Sequence, residues 1–460
     1  MAGYETLKNL LRYEVIQRAE EGCAIKHQYW LERLRRLDED DRDGLEQLER
    51  DLETFAPEEN FPYVENSRLE AIEAVRPNGV RETRARPNER EYFKKAHGGW
   101  LGRCVGVMLG RPFDTEPFTC HSQHLQRKDI QVWLEEADAW PLASYVPGAS
   151  AAEKWQLKLT HTDSTRGKIK RVEADPRLDA TFIALKNMES TGGKARSAGI
   201  ALSWLRDQAY ERTPPDQAQA MLNMLASDVF ARRERSVERI ESKCDWDAIA
   251  CHRNPFREWN GALRRVDTYG LLHAGQPEAA ARAAWADARI SNSKNGVYGA
   301  MFLSVIIAAA FVEDDFESLI DCALCEIPTH SRLARDVKRM SAWCASEKSW
   351  VRIWDRMMEE YGDYAPSHSI LTTLCIVMAL LRGNGDFSKS LSIAVCCGLD
   401  PVTQGGAVGA IMGVLRGSSD MPARWTDPLQ NTVLSNVQGC LENRISECAS
   451  RTVEVWKRMD

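Results

Sequence analysis

HGGWLGRCVGVMLGRPFD, residues 97–114, is the stretch whose reading decides the fold. Glycines at 98, 102, 106 and 110 recur every four residues, so they line one face of a helix. Each costs a helix about 1 kcal/mol relative to alanine. Four on one stripe therefore predict a close approach by a second helix. Pro112 ends the helix and leaves Asp114 in the loop just past it. This is not the dinucleotide-binding fingerprint, because no strand precedes it and the spacing differs. A second small-residue stripe, Gly405, Gly409 and Gly413, lies in CGLDPVTQGGAVGAIMG, residues 397–413.

Outward from these stripes the apolar segments are long and helix-like. They include Ala198–Leu205, Ala218–Ala231, Pro277–Ala288, Gly299–Val312 and Ser367–Leu381. Strong helix formers dominate them, and no series of short alternating β-branched runs supplies strands for a doubly wound sheet. The expectation is an all-α core over residues 90–445, with Ala300–Phe311 and Ile370–Leu381 as central helices because they are apolar nearly all round. Residues 1–85 read as an N-terminal helical extension. Leu7, Leu10, Leu11, Val15 and Ile16 recur at helical spacing there, and Tyr29–Leu34 and Leu45–Phe55 continue the pattern. The acidic, Arg-laced stretch Leu37–Glu53 is a solvated helix face. Turn signals at Pro77-Asn78-Gly79 and Pro87-Asn88 place the boundary near 77–90, and residues 446–460 form a tail helix.

The 460 residues are 43% hydrophobic and 28% charged, which excludes disorder and collagen-like repeats. A net charge of −7 argues against a nucleic-acid partner. The longest apolar stretches, of twelve residues, fall short of the roughly 20 needed to span a membrane. The N-terminus lacks a secretory h-region. Thirteen cysteines, an odd number at irregular spacing, read as reduced thiols. The expected location is the cytoplasm. Cys322 and Cys325 form a lone CxxC, more simply two residues on a buried helix than a metal or redox pair. Cys396 and Cys397 read as packing thiols.

Loops on a helical scaffold are where sites are built, and three more segments stand out beside Asp114. In DPRLDATFIAL, residues 175–185, Asp175 and Asp179 precede an apolar run, and Asp179 suits a helix N-cap. NPFREWNGA, residues 254–262, leads to SNSKNGVYG, residues 291–299. There Asn295-Gly296 is a turn former, and a helix starting near Gly299 would offer its amides to a phosphate or hydroxyl-rich ligand. Asp400, before the second stripe, caps a helix, ligates a metal or serves as a general base; on spacing, the cap is the plainer role.

Together, in this order, the four segments resemble the ADP-ribosylglycohydrolase family. GRCVGVMLGRPFD resembles its opening G-x-A-x-G-D-A-L-G-x-P-x-E. NPFREWNGALRRVD and SNSKNGVYGAMF resemble its middle segments. GDFSKSLSIAVCCGLDPVTQGGAVGAIMG resembles its closing G-G-D-T-D-T/S-x-A-x-x-G-x-x-G-A, and MPARWTDPLQNTV has the form of its tail. The resemblance implies an all-α fold, a cleft with two Mg²⁺ ions, and cleavage of ADP-ribose from arginine, serine or a small leaving group. It implies catalytic roles for Asp114, Asp175 and Asp400. Asp175, Asp400 and Thr403 become the metal ligands. Arg177, Asp179, Asn292, Asn295, Gly296, Tyr298 and Thr403 become substrate contacts, with Arg177 or Lys294 on phosphates.

The family's ligand positions are depleted. Its acid cluster D-D-D-x-N/D-Y-T falls on Asp175 to Thr181 with Pro176 and Arg177 in place of acids; a register on Thr162-Asp163-Ser164-Thr165 lacks the following apolar helix. The His of its S-H-x-x-N-G is Asn292, and the second acid of its D-T-D-T is Val402. The expected metal centre is therefore absent or reduced to one weak Mg²⁺. The expected function is glycosidic cleavage of a nucleotide, an NAD derivative or a ribosylated small molecule. In that chemistry a carboxylate stabilises an oxocarbenium-like state and activates water. The alternatives are a non-catalytic ADP-ribose or nucleotide binder, and an enzyme of this fold that transfers or rearranges a ribosyl group.

Overall fold

A computed structural model describes residues 5–79, 81, 87–120, 123–231 and 236–459. Its regular structure, short 3₁₀ turns aside, is twenty-three α-helices and one antiparallel pair of strands, Thr432–Leu434 with Glu442–Arg444. The all-α expectation holds, and the small hairpin is its only departure among the described residues. Part of the expected boundary at 77–90, namely residues 80 and 82–86, lies outside them.

The two glycine stripes meet. Helix Glu89–Gly110 runs against helix Pro401–Arg416. Gly98 faces the carbonyl of Gly413, Gly102 that of Gly409 and Gly106 that of Gly405. A Cβ on any of these would fall inside the van der Waals envelope of the facing oxygen, so the backbones touch only because both stripes are glycine. Around this pair lies one continuous core, with Trp100, Trp133, Trp425, Phe182 and Phe302 fully buried. Each such side chain contributes roughly 1.5–3 kcal/mol. The stretch Ala300–Phe311 fills the end of the buried helix Lys294–Ala309 and runs two residues past it, and Ile370–Leu381 lies in the buried helix Ser369–Gly383. Asp114 closes the 3₁₀ turn that follows Gly110.

Residues 7–53 form three helices around a small core of their own, built on Leu11, Val15, Trp30, Leu34, Leu45, Leu48 and Leu52. They and the segment that follows, as far as Ser67, also dock through polar contacts. Arg257 binds Glu14 and Glu21, and Arg332 binds Glu65. Trp285 Nε1 donates to the Ser67 carbonyl, and Tyr298 donates to that of Asn66.

Two local expectations are corrected. The helix expected at Gly299 begins at Lys294, so Asn295-Gly296 lies inside its first turn rather than in an open loop. The cap of helix Pro176–Thr191 is Asp175, whose carboxylate accepts from Arg177 N; Asp179 lies within the helix. In both Asp175-Pro176 and Asp400-Pro401 the acid is the N-cap and the proline the first helical residue. None of the thirteen cysteines is in a disulfide. Cys396 and Cys397 are buried, whereas Cys322 and Cys325 are only half-buried.

Candidate functional site

Three helix ends converge where the glycine-packed helix pair terminates: the turn after Gly110, and the N-termini of helices Pro176–Thr191 and Pro401–Arg416. Their acids, Asp114, Asp175 and Asp400, surround one guanidinium. Arg177 makes two bonds to Asp114, at 2.8 and 3.2 Å. It lies 3.4 Å from Asp400 and 3.6 Å from Asp175. Burial works against the charge of Arg177, but the three acids raise its pKa well above the ordinary arginine value.

Two further arginines complete the cluster. Arg264 Nη2 donates to Asp400 at 2.6 Å, and Asn260 Nδ2 donates to the same oxygen at 3.0 Å. Arg111 Nη1 donates to Asp175 at 3.2 Å, and its Nε donates to Ser164. The Thr403 amide donates to Asp400, while the Thr403 hydroxyl is buried without a hydrogen bond. Burial alone would raise the Asp400 carboxyl. The charges of Arg264 and Arg177, with the Thr403 amide, overcome it and hold Asp400 well below the usual carboxylate range. Asp114 is the acid of the three with solvent access, its side chain 21% exposed against 2% for Asp175 and 3% for Asp400. The segment Thr162–Thr165, set aside as a register, is nonetheless at the site through Ser164 and Asp163, the latter 3.7 Å from Arg111.

The other expected site residues lie apart from this cluster in their bonding. Asp179 accepts twice from Asn436, and burial, opposed by those bonds, raises its carboxyl. Asn292 is spent on Asp216 and on the carbonyls of Arg257 and Trp259. Asn295 bridges Glu65 and Glu258 and accepts from Leu333 N. A Cβ on Gly296 would meet the Arg257 carbonyl at 2.5 Å, so that glycine serves packing. Tyr298 is bound to the N-terminal segment, and Lys294 pairs with Glu21 at 3.2 Å.

The residues present do not fit a two-Mg²⁺ centre. Mg²⁺ takes oxygen ligands in a near-octahedral shell. Here Pro176, Arg177 and Val402 offer no side-chain oxygen, and each remaining carboxylate already accepts from or pairs with a guanidinium. A divalent ion would also have to sit against the Arg177 charge. Elsewhere, Glu49, Glu53 and His252 place ligand atoms near one another on the surface, but Glu49 is held by Arg253 through two bonds of 2.7 Å.

Sequence reasoning missed Arg111, Arg264 and Asn260. All three stand inside quoted segments, but nothing local marks a guanidinium that will reach a carboxylate 64 or 136 residues away. It also missed a second buried charge cluster. Glu258 receives two bonds from Arg332, which also holds Glu65. Burial would raise Glu258, yet the Arg332 charge keeps it below its ordinary value.

Comparison with known proteins follows this geometry. A family model described as ADP-ribosylglycohydrolase matches residues 88–459. Among solved structures, one described as an "ADP-ribosylglycohydrolase-related protein complex" is 16% identical, with a TM-score of 0.44, and the match covers 81% of this chain and 100% of that one. No curated protein matches the chain. No helix among the described residues is long and apolar enough to cross a membrane.

Proposed function

The chain belongs to the ADP-ribosylglycohydrolase family, and from that premise we propose that it is a glycosidase-type hydrolase. Its substrate is a nucleotide, an NAD-derived molecule or an ADP-ribosylated small molecule, cleaved at an N- or O-ribosyl bond. The observation that carries this reading is the convergence of Asp114, Asp175 and Asp400 around Arg177 at three helix ends.

The roles follow from charge and access. Asp400 stays ionised at any working pH, so it supplies fixed negative charge to an oxocarbenium-like state rather than a proton shuttle. Asp114 has the solvent-facing carboxylate and serves as the base that takes the proton from the attacking water. Asp175 caps its helix and receives Arg111, which fixes the Arg177 backbone. Arg177 and Arg264 hold the acids in place, and Arg177 supplies the cationic charge that a metal would otherwise bring.

The commitment of every carboxylate to a guanidinium favours a second reading, a non-catalytic module that binds ADP-ribose or a nucleotide. One panel separates the two: NAD, ADP-ribose, ADP-ribosyl-arginine and common nucleotides, with ribosyl release followed by mass spectrometry. The hydrolase yields product, and Asp114→Asn lowers its rate by about 10²–10⁴-fold, the usual contribution of a general base. Asp400→Asn keeps the helix cap and also abolishes turnover. Binding of ADP-ribose with no product from any substrate supports the module instead.

A further inference from the structure

A cavity of about 570 Å³ is walled by Pro141 and Leu142, by Trp350 at the start of its helix and by the first turns of helix Phe387–Cys396, with Arg424 at its edge. Its size lies within the roughly 300–1,000 Å³ typical of small-molecule sites. None of these residues takes part in the Asp114–Asp400 cluster. We propose that this cavity is a second ligand site for a small organic anion, whose carboxylate or phosphate is received by Lys389 and Arg424 and whose apolar body lies along Leu142, Trp350 and Ile393.

The two cations are accessible and largely unspent. Both Lys389 and Arg424 are exposed side chains that line the cavity. Arg424 Nη2 donates to Ser388 Oγ at 2.7 Å, its one hydrogen bond among the described residues. Ser388 is buried, and its Oγ also accepts from Trp425 Nε1 at 2.8 Å, so the anchor that holds the guanidinium at the edge is itself fixed. The other N–H groups of Arg424 stay open to a ligand, and a guanidinium presents them in the fork that matches a carboxylate or phosphate. The Lys389 ammonium makes neither hydrogen bond nor ion pair among the described residues.

The surroundings keep the cavity positive. Asp386 is the one acid among the lining residues, and its carboxylate caps the helix by accepting from Lys389 N at 2.7 Å. Arg382 and Arg416 stand beside the Gly383–Asp386 turn that borders the cavity. They give their guanidiniums to the backbone carbonyls of Cys344, Lys348 and Gly385, so no carboxylate in contact offsets their charge. In a chain of net charge −7, these four arginines and lysines around one acid form a local field that draws in an anion and repels a metal ion.

The opposite side selects the rest of the ligand. Leu142 and Ile393 are buried aliphatic residues, and Trp350 is a half-buried indole beside them. An exposed ion pair alone contributes little to affinity. An apolar body that covers this surface supplies what the charge does not. A bare inorganic anion would leave the surface wet.

This site is independent of the hydrolase reading, and calorimetric titration of the full chain with 2-naphthoate and with 2-naphthyl phosphate tests it. The two arms distinguish a carboxylate ligand from a phosphate. At least one binds saturably with a Kd below about 1 mM. Acetate, which keeps the charge without the ring, and 2-naphthamide, which keeps the ring without the charge, bind at least about tenfold more weakly. Lys389→Gln and Arg424→Gln, both at exposed positions, together weaken binding at least about tenfold. Trp350→Ala weakens it at least about fivefold, and the double variant decides the matter if Trp350→Ala fails to fold. Asp400→Asn leaves the affinity unchanged. No saturable binding of either anion up to about 5 mM, equal binding of the amide, or an unchanged affinity in the double variant would overturn the proposal.

Discussion

The cluster at Asp114, Asp175 and Asp400 and the cluster at Glu258, Glu65 and Glu20 are built from the same parts, carboxylates and guanidiniums withdrawn from water. They differ in how the charges are matched. In the first, every acid has a guanidinium within 3.2 Å, and the acids stand at helix ends where one of them reaches solvent. In the second, Arg332 satisfies Glu258 and Glu65 but makes no bond to the Glu20 side chain, whose carboxyl burial and the Glu258 charge push up to about 8. The lesson is that counting acids does not locate chemistry. The first cluster presents fixed charge at a mouth, and the second presents a neutral acid in a cavity.

The largest expected effect tests the scaffold under the first cluster. Gly106→Val forces a branched side chain against the Gly405 carbonyl and parts the two helices that carry Asp114 and Asp400. Urea denaturation should show a loss of about 4–5 kcal/mol or no folded protein. Next comes the cation of the second cluster. Arg332→Met strands Glu258 and Glu65 in the interior and costs about 3–5 kcal/mol. Arg177→Met costs less in the same assay, because Asp114 can turn to water. Equal losses would erase the distinction between a structural and an open cluster.

The smallest effect concerns Glu20 and has a definite sign. Its folded-state pKa, about 8, lies above the unfolded value near 4.5. The folded chain therefore holds this proton more tightly, and the contribution is fully present below pH 4.5. It is lost as the pH rises to about 8. Glu20→Gln removes the titration, so it should raise stability relative to the wild type by roughly 3–4 kcal/mol at pH 8, with the gain vanishing near pH 4.5. Thermal unfolding at both values checks it. A gain independent of pH would mean that Glu20 is ionised in the fold.

Much of the scaffold was legible because its signals are local. The i, i+4 glycines at 98–110 and 405–413 announced a backbone contact, and each stripe was the other's partner. The Asp-Pro pairs at 175 and 400 marked two helix starts, although the first cap was read one turn late, at Asp179. The start at Lys294 was missed because Asn295-Gly296 reads as a turn and Ser293 makes no capping bond with its side chain. Asp114, Asp175, Arg177 and Asp400 were placed together through motif order. Their partners Arg111 and Arg264 were not, since pairing across the fold leaves no spacing to read. The same holds for Glu258 with Arg332, 74 residues apart, and for Glu20, whose chemistry depends on a cation that goes elsewhere.

The central claim is that Arg177 holds the place of a metal among Asp114, Asp175 and Asp400. Calorimetric titration of the purified chain with Mg²⁺, alongside Asp400→Asn and Arg177→Asp, tests it most directly. The wild type should show no saturable uptake below about 1 mM that Asp400→Asn removes, while Arg177→Asp, which exchanges the cation for an oxygen ligand, gains it. Two tight Mg²⁺ per wild-type chain, abolished in Asp400→Asn, would contradict the account.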